Sequence, residues 1–310
     1  MFRINVLGNL LGVCLLLFPS YVLAQITPDT SLDRESSRLT QIGKDGTVQI
    51  DGGAQRGGHL FHSFRDFNVG EGKQVYFANP VGVETIFSRV TGSEVSRILR
   101  RLGVQGKANL FLLNPNGIIF GKDAQLDIKG SFVASAGGRF IFPDGSEYSA
   151  IDPQAPPLLT ITTPIGLQQL TNLSGTISNA GQLAVGQDLT LVGRQLDLQG
   201  QLQAGRNVTL QAQETLKVRD SVTAPFLATA GGNMVIRGDR GVDIFALSHP
   251  RSGFFSGKDM ILRSSSAVGG DARFWSGGNF RIEQLDQSLG DLFSPFDPVI
   301  LSSGDVSFNN

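Results

Sequence analysis

The chain has 310 residues, among them 39 glycines and 21 phenylalanines but only 3 tyrosines, one tryptophan and one cysteine. With a formal net charge of −1, the chain lacks the excess of basic residues typical of nucleic-acid-binding proteins, so no nucleic-acid partner is expected. A 40% apolar content excludes wholesale disorder, and one cysteine can form neither an intrachain disulfide nor a cysteine-based zinc site. Abundant glycine and phenylalanine, with only 17% charged residues, favour an all-β chain with many turns and a narrow core.

The first 24 residues have the pattern of a secretory signal peptide. Arg3 is their only charged residue, an apolar run extends over residues 6–18, and small Ala24 predicts cleavage before Gln25. The apolar run is shorter than the ~20 residues that a membrane-spanning helix needs. We therefore expect export through the Sec machinery. Cleavage would also remove Cys14, so the exported chain would contain no cysteine.

Alternating apolar and polar residues after the leader predict short strands separated by glycine turns. The clearest strand patterns lie at residues 47–50, 74–77, 124–128 and 189–191. Residues 93–102 have apolar residues at helical spacing, but ten residues are marginal for a helix, so a short helix or turn and a strand stay equally open. The three arginines of this stretch are expected on a solvated surface. Several prolines between residues 143 and 164 indicate a boundary near residue 160.

A short unit recurs six times beyond this boundary: glycine or serine, any residue, Asp or Asn, and then two apolar residues separated by one position. The Asp and Asn positions are Asp188, Asn207, Asn233, Asp259, Asn279 and Asp305, which lie 19 to 26 residues apart. A unit of this length cannot bury its own apolar face, so it must stack on its neighbours as a solenoid. The sequence therefore predicts a right-handed parallel β-helix, a single-stranded β-solenoid, with the Asp or Asn of each unit in a turn.

The segment from residue 57 to residue 136 contains the most distinctive motifs. They are GGHLFHSF at 57–64, FNV at 67–69, VYFANP at 75–80, SRVTG at 88–92, ANLFLLNPNGIIFG at 108–121 and GSFVAS at 130–135. These motifs resemble the haemagglutination-activity, or two-partner-secretion, domain at the N-terminus of filamentous-haemagglutinin-type exoproteins, and most of all its cyanobacterial branch. The resemblance covers residues 25–160, about half of the exported chain.

Two Asn-Pro segments are the candidate recognition sites. The candidate residues are Asn114, Pro115, Asn116, Gly117, Ile118, Asn79 and Pro80. Asn-Pro-Asn-Gly is a tight-turn sequence, because proline fixes φ and Asn and Gly suit turn conformations. The resemblance implies that a transporter recognises these segments. Two interpretations stay open: direct contact with the transporter, or a turn that starts the β-helix. After Pro80 the chain continues Val81-Gly82, where better-known members of the family continue Asn-Leu.

The resemblance implies a secreted exoprotein without cofactor, metal or enzymatic activity. Its N-terminal domain, residues 25–160 with an N-terminal cap, would target the periplasmic recognition domains of a cognate outer-membrane β-barrel transporter and nucleate β-helix folding. The repeats at 161–310 would form an adhesin or haemagglutinin-like rod that binds a host or neighbouring cell surface. The chain would pass through the periplasm and end outside the cell or on its surface. Because residue 310 falls inside the sixth repeat, a truncated rod or the front of a longer protein is expected.

The sequence also suggests two other functions and one metal pair, and each meets an objection. The same N-terminal domain occurs in cytolysins and contact-dependent toxins, which would need a C-terminal effector. A β-helical polysaccharide-active enzyme would need paired carboxylates in one cleft, whereas the acidic residues here are scattered along the sequence. His59 and His62 could suggest a metal pair, but residues three apart in a strand point to opposite faces.

Overall fold

The computed structural model of the chain describes residues 26–42, 46–154 and 173–309. The predicted leader 1–24, its cleavage position at Ala24 and Gln25, and the predicted boundary near residue 160 lie outside these ranges. Within them the chain forms 33 β-strands and one 3₁₀ turn, Asp33–Glu35, and no α-helix. No helix in the described ranges is both long and apolar enough to cross a membrane.

The strands are numbered in chain order. The N-terminal strands are β1 (Ile26–Pro28), β2 (Ser37–Ile42), β3 (Thr47–Gly52), β4 (Ala54–Arg56), β5 (His59–Phe67), β6 (Gln74–Ala78), β7 (Thr85–Val90), β8 (Ser96–Ile98), β9 (Arg101–Gln105), β10 (Asn109–Leu113), β11 (Gly117–Phe120), β12 (Gln125–Asp127), β13 (Phe132–Ser135), β14 (Arg139–Ile141) and β15 (Glu147–Ser149). The C-terminal strands are β16 (Thr176–Asn179), β17 (Gln182–Val185), β18 (Leu189–Gly193), β19 (Gln195–Leu198), β20 (Gln201–Ala204), β21 (Val208–Ala212), β22 (Thr215–Arg219), β23 (Leu227–Ala230), β24 (Met234–Gly238), β25 (Gly241–Phe245), β26 (Gly253–Ser256), β27 (Met260–Ser264), β28 (Val268–Asp271), β29 (Arg273–Ser276), β30 (Phe280–Glu283), β31 (Leu292–Phe293), β32 (Val299–Ser302) and β33 (Val306–Ser307).

Three long sheets form the sides of a solenoid. The twelve-stranded sheet runs β1-β5-β7-β10-β13-β18-β21-β24-β27-β30-β33 with β4 paired to β5, the eleven-stranded sheet runs β2-β3-β6-β9-β12-β17-β20-β23-β26-β29-β32, and the eight-stranded sheet runs β8-β11-β16-β19-β22-β25-β28-β31. From β16 onward each strand pairs in parallel with the strand three positions later, so one coil contributes one strand to each sheet. The predicted parallel β-helix is confirmed.

The first strands close the N-terminal end of the solenoid with antiparallel pairs. Strand β1 pairs antiparallel with β5, and β2 forms an antiparallel hairpin with β3. Strand β4 turns back onto β5 in the same way. Parallel stacking begins with β3 on β6 and β5 on β7, so the antiparallel strands form a cap on the first parallel coil.

The Asp and Asn of the six repeats form a hydrogen-bonded ladder along one corner. Each lies directly before a strand of the twelve-stranded sheet. The Asp188 Oδ1 atom accepts a hydrogen bond from the backbone N–H of Asn207 at 3.1 Å, and Asn207 Oδ1 accepts one from Asn233 at 2.9 Å. The pattern continues to Asn279 Oδ1, which accepts from the N–H of Asp305 at 2.9 Å. The predicted turn position of these residues is confirmed, and their side chains join one coil to the next.

The stretch at residues 93–102 belongs to two strands, β8 and β9, and not to a helix. Ile98 and Leu102 are fully buried in the solenoid core. Arg97 and Arg100 are exposed as predicted, whereas Arg101 is partly buried and donates to Gln125. Stacking of β8 on β11 and of β9 on β6 and β12 fixes the two-residue period, and these long-range contacts outweigh the local helical spacing.

A continuous apolar core fills the solenoid, with phenylalanine stacks in part of it. In the C-terminal coils, ring centroids are 5.1 Å apart between Phe226 and Phe254, 5.2 Å between Phe254 and Phe274, and 5.5 Å between Phe274 and Phe280. The coils between the N-terminal strands and these C-terminal coils contain mainly leucine, valine and isoleucine in the core. The predicted phenylalanine stacking is therefore confirmed in these C-terminal coils.

Candidate recognition and folding site in the N-terminal coils

The N-terminal strands of the twelve-stranded sheet are buried on both faces. Their inward side chains join the solenoid core, and their outward side chains form a register-matched row of Phe61, Phe87, Phe111 and Val133 on β5, β7, β10 and β13. Rings of adjacent strands lie 5.1 Å apart for Phe61 and Phe87 and 5.0 Å apart for Phe87 and Phe111. The row forms the base of a second apolar core outside the solenoid.

The antiparallel hairpin of β14 and β15 covers this row. Tyr148 contacts Phe61 edge to face at 4.9 Å between centroids, and Phe142 contacts Phe87 in the same manner at 5.4 Å. The backbone of the hairpin is joined by pairs such as Phe140 with Tyr148. We refer to the N-terminal cap, β5 to β13 and this hairpin as the N-terminal block. The uninterrupted apolar run at 110–113 is the sequence signal for such two-sided burial.

A fully buried arginine lies between the hairpin and the cap. The Arg89 guanidinium donates hydrogen bonds to Ser63 Oγ at 2.9 Å, Ser31 Oγ at 2.8 Å, and the carbonyls of Ser149 and Gln154, both at 2.8 Å. It also lies 4.2 Å from the centre of the Tyr148 ring. Burial lowers the pKa of Arg89 from its ordinary value, although the group stays cationic. Arg89, on β7, therefore connects the segment after β1, strand β5 and the hairpin with the residues that follow it.

Asp29 is the nearby acidic partner of this network. Its carboxylate accepts hydrogen bonds from the hydroxyls of Ser31 at 2.6 Å, Ser63 at 2.6 Å and Thr91 at 2.7 Å. Burial acts to raise the pKa of Asp29, but these hydrogen bonds outweigh it and hold the pKa below its ordinary value. Ser31 and Ser63 also bond Arg89, so they bridge the two charges.

The Asn-Pro-Asn-Gly motif forms a tight turn between β10 and β11. The Gly117 N–H donates to the Asn114 carbonyl at 3.0 Å, and Gly117 takes the positive φ of 117°. The Asn114 side chain is fully buried: its Nδ2 donates to the Glu94 carbonyl at 3.0 Å and Ser96 Oγ at 2.9 Å, and its Oδ1 accepts from the Asn116 N–H at 3.0 Å. The motif thus joins its own turn to the preceding coil.

The Asn79-Pro80 segment forms a second corner turn, between β6 and β7. Asn79 Oδ1 accepts from the N–H groups of Lys107 at 3.0 Å and Ala108 at 3.1 Å, and Asn79 Nδ2 donates to the Val83 carbonyl at 2.8 Å. Its side chain therefore stabilises the next coil. Val81, which follows Pro80, is completely exposed.

The fold does not bring the two Asn-Pro turns together. The turn at Asn79 precedes β7, and the turn at Asn114 follows β10. Because β7 and β10 are parallel neighbours, the two turns lie at opposite ends of the strands of the twelve-stranded sheet. Ile118, the last residue of the longer motif, is fully buried in the core next to Gly117, and Pro115 is partly buried. Sequence reasoning missed Arg89, Asp29 and Tyr148, whose roles depend on contacts between distant segments.

His59 and His62 point to opposite faces of β5, as predicted. His59 contacts Phe87 on the outer face, with 5.8 Å between ring centroids. His62 is fully buried on the inner face, where its Nδ1 is 3.0 Å from Ser37 Oγ and its ring packs against Phe77 at 5.2 Å. In the described ranges, no three His, Cys, Asp or Glu side chains are grouped so that they could hold a metal ion.

We expect His62 to make the fold sensitive to mild acid. Burial lowers the pKa of His62 from 6.5 to about 3, because the charged imidazolium would lose its hydration in the core. As the pH falls, His62 therefore takes up a proton in the unfolded chain before it does so in the folded chain. The part of the free energy of unfolding that depends on neutral His62 is fully present above pH 6.5 and is lost as the pH falls toward 3. The slope approaches ~1.4 kcal/mol per pH unit.

Urea unfolding of the wild type and of His62→Gln between pH 7.5 and 4 measures this effect. Glutamine does not titrate and keeps a polar partner for Ser37. The wild type should lose more stability than the variant over this interval. Equal losses in the two proteins would show that His62 does not titrate in this way.

The described residues thus define the class of protein: a parallel β-helix with an antiparallel N-terminal cap and two Asn-Pro corner turns. The family model of the TPS secretion domain matches residues 24–282, and the chain belongs to this family. The match spans both the predicted N-terminal domain and most of the repeats. The resemblance inferred from the motifs is thereby confirmed. Membership implies secretion across the outer membrane with a cognate outer-membrane transporter as partner.

Similar proteins agree with this assignment. The chain is 29% identical over 110 residues to a heme/hemopexin-binding protein of Haemophilus influenzae strain Rd, a match that covers 36% of this chain and 11% of that protein. A second heme/hemopexin-binding protein of Haemophilus influenzae is 33% identical over 67 residues, or 22% of this chain and 7% of that protein. The matches therefore span about a tenth or less of these relatives. The crystal structure of a filamentous hemagglutinin secretion domain superposes with a TM-score of 0.57 and 16% identity, covering 90% of this chain and 99% of that one, and shows the same fold.

Proposed function

We propose that the cognate transporter reads the Asn114 motif only while the chain is unfolded, and that folding then conceals it. The observation that carries this proposal is the complete burial of the Asn114 side chain, whose amide is fully engaged by Glu94, Ser96 and Asn116. No transporter side chain can reach that amide in the folded protein. Direct recognition and turn formation are thus two successive roles of the same residue.

The N-terminal block nucleates the β-helix outside the cell. Its outer apolar row, its hairpin and the Arg89 network give it a second core that supplements the solenoid core. Later coils add one strand to each sheet and bury their apolar faces on a coil already formed, so folding propagates from this end. Concealment of the motif and growth of the rod both oppose return of the chain to the periplasm.

The repeats serve as an adhesin-like rod and not as an enzyme. The Sec machinery delivers the chain to the periplasm, where the periplasmic domains of the β-barrel transporter bind it, and the folded rod is displayed outside the cell or on its surface. The acidic residues are scattered along the sequence, whereas a polysaccharide-active enzyme needs two carboxylates in one cleft. Several of them are held by arginine neighbours, as in the pairs of Asp243 with Arg219 and of Glu283 with Arg263.

Secretion of Asn114→Ala tests this function. Co-expressed with the cognate transporter, the variant should reach the medium at no more than a tenth of the wild-type amount, because both recognition and the corner turn are lost. Asn279→Ala is the matched control, since Asn279 occupies an exposed corner of a late coil. It should be exported at nearly the wild-type level. Equal export of Asn114→Ala and the wild type would refute the targeting role.

A binding measurement separates recognition from folding. The purified periplasmic domains of the transporter are titrated with wild-type chain freshly diluted from urea and with fully folded chain. The unfolded chain should bind at least tenfold more tightly, and Asn114→Ala should weaken only that binding. Equal binding of folded and unfolded chain would contradict concealment by folding.

A further inference from the structure

The outward face of the eleven-stranded sheet carries no charged residue over four successive coils. Strands β17, β20, β23 and β26 have the sequences QLAV, QLQA, LATA and GFFS. The other two faces differ at the same level: Arg237 and Arg263 face outward on the twelve-stranded sheet, and Lys217 and Asp243 face outward on the eight-stranded sheet. The neutral face is therefore a particular property of one side of the solenoid.

Amide side chains occupy the upstream half of this face and are free to bind a ligand. Gln182 and Gln201 are paired in register on β17 and β20, and Gln203 lies two residues further on. None of the three amides hydrogen-bonds to any other group of the described chain. Gln125, one coil earlier in the same row, has its side-chain oxygen engaged by Arg101 at 2.8 Å. The amides downstream of it present both donors and acceptors to solvent.

Aromatic rings occupy the downstream half. Gln203, Thr229, Phe255 and Trp275 are register partners on four consecutive strands, β20, β23, β26 and β29. Trp275, the single tryptophan of the chain, is 43% exposed. We call Gln182, Gln201, Gln203, Thr229, Phe255 and Trp275 the amide–aromatic stripe. It runs along the solenoid axis with one step of about 4.8 Å per coil.

A shallow groove lies on the upstream part of the stripe. Its cavity volume is about 80 Å³, and it is lined by Gln182, Gln201, Gln203, Leu227 and Thr229, among others. Its lining combines aliphatic residues with amides, a common pattern of ligand sites in which a few polar groups orient the ligand. The groove leads toward Phe255 and Trp275 on the next coils.

We propose that the amide–aromatic stripe binds an uncharged polysaccharide lying along the solenoid axis. Pyranose rings present apolar C–H faces that stack on aromatic rings, and hydroxyls that pair with amides in either hydrogen-bond sense. The coil spacing is close to the length of one sugar unit, so successive sugars meet equivalent positions on successive coils. This proposal rests on the proposed adhesin role and names its ligand class.

The charge of the face favours a neutral glycan over other occupants. An acidic or sulfated glycan would need a row of cations, whereas strands β17, β20, β23 and β26 carry none. Arg273, on the next strand of the sheet, donates to the His249 carbonyl at 3.3 Å. A second copy of the chain would need a largely apolar contact surface. The upstream half of the stripe presents unpaired amides, which would lose their water on such an interface without partners.

Fluorescence of Trp275 in the full chain provides the test, because no other tryptophan contributes to the signal. The probes are the neutral hexasaccharides cellohexaose, chitohexaose and mannohexaose, with a heparin hexasaccharide for comparison. We expect a saturable change with at least one neutral hexasaccharide, and none with the heparin fragment. The double variant Gln201→Ala/Gln203→Ala should bind at least tenfold more weakly. Gln211→Ala, an outward glutamine on the twelve-stranded sheet, is the matched control and should bind normally.

Four outcomes would overturn the proposal. They are no saturable change with any of the three neutral probes, unchanged affinity in the double variant, tighter binding of the heparin fragment, or a signal that depends on protein concentration in the way a dimer does. Export is measured separately on the same variants. Normal export without binding of any neutral sugar would contradict the glycan proposal alone. Sugar binding without export by the transporter would contradict the secretion proposal alone.

Discussion

Replacement of Arg89 by methionine is expected to cost about 3–5 kcal/mol of stability, the loss typical when one member of a buried charged network is removed. Methionine keeps much of the side-chain length but none of the donors. The carbonyls of Ser149 and Gln154 would lose their hydrogen bonds, and Asp29 would lose the cation that shares Ser31 and Ser63 with it. The hairpin that covers the outer phenylalanine row would detach from the cap.

Urea unfolding followed by circular dichroism measures this loss. Arg206→Ala is the control, because the Arg206 side chain is 58% exposed and pairs with Asp188 at the surface. Such a pair contributes about 0–1 kcal/mol. Arg89→Lys should fall between the two, since lysine keeps the charge but cannot direct donors to four acceptors at once. If Arg89→Met were no less stable than Arg206→Ala, the network would not hold the N-terminal block together.

The second large effect is expected at the glycine column beside the Asp/Asn ladder. Gly205, Gly231 and Gly257 stack on successive coils. A Cβ atom on Gly231 would lie 2.3 Å from the Gly205 carbonyl oxygen, and one on Gly257 would meet the Gly231 oxygen at the same distance. The obstacle is backbone, which cannot rotate away, so Gly231→Ala must push two coils apart. We expect a loss of about 3 kcal/mol, at the upper end of the usual cost of overpacking.

Gly241→Ala is the matched control for this prediction. Gly241 lies at the start of β25, and a Cβ atom there would meet nothing closer than Ser266 Oγ at 3.9 Å. Its substitution should leave stability unchanged or raise it by about 0.5 kcal/mol through the unfolded state. Both variants are compared by their urea midpoints. Equal midpoints would show that the coils can separate at this corner without cost.

Much of the repeat architecture was predictable because its signals are local. The position of Asn207 in its unit predicts a turn, and the apolar residues at positions such as Val208 and Leu210 predict an inward-facing strand. Stacking of identical units then follows from the need to bury those residues. Residues 93–102 were ambiguous for the opposite reason. Ile98 and Leu102 fit either period, and only the neighbouring coils decide between them.

The residues of the candidate site were predictable from the sequence, but the burial and contacts of their side chains were not. The turn at Asn114 follows from Asn-Pro-Asn-Gly alone, whereas the burial of its side chain depends on Glu94 and Ser96 in the preceding coil. The roles of Arg89 depend on still more distant partners, since Ser31 and Gln154 lie 58 and 65 residues away in the chain. No local pattern marks an arginine for burial when its acceptors come from three separate segments.

The sequence by itself thus determined the class of the chain, its coil unit and the residues of its turns, because turn chemistry and apolar periodicity act over a few neighbouring residues. The tertiary structure alone decided that the first coils have a second core, that Asn114 is concealed, and that one face of the solenoid is neutral. These properties arise when segments distant in sequence are stacked in register, so that side chains insignificant in their own strand become rows on a common surface.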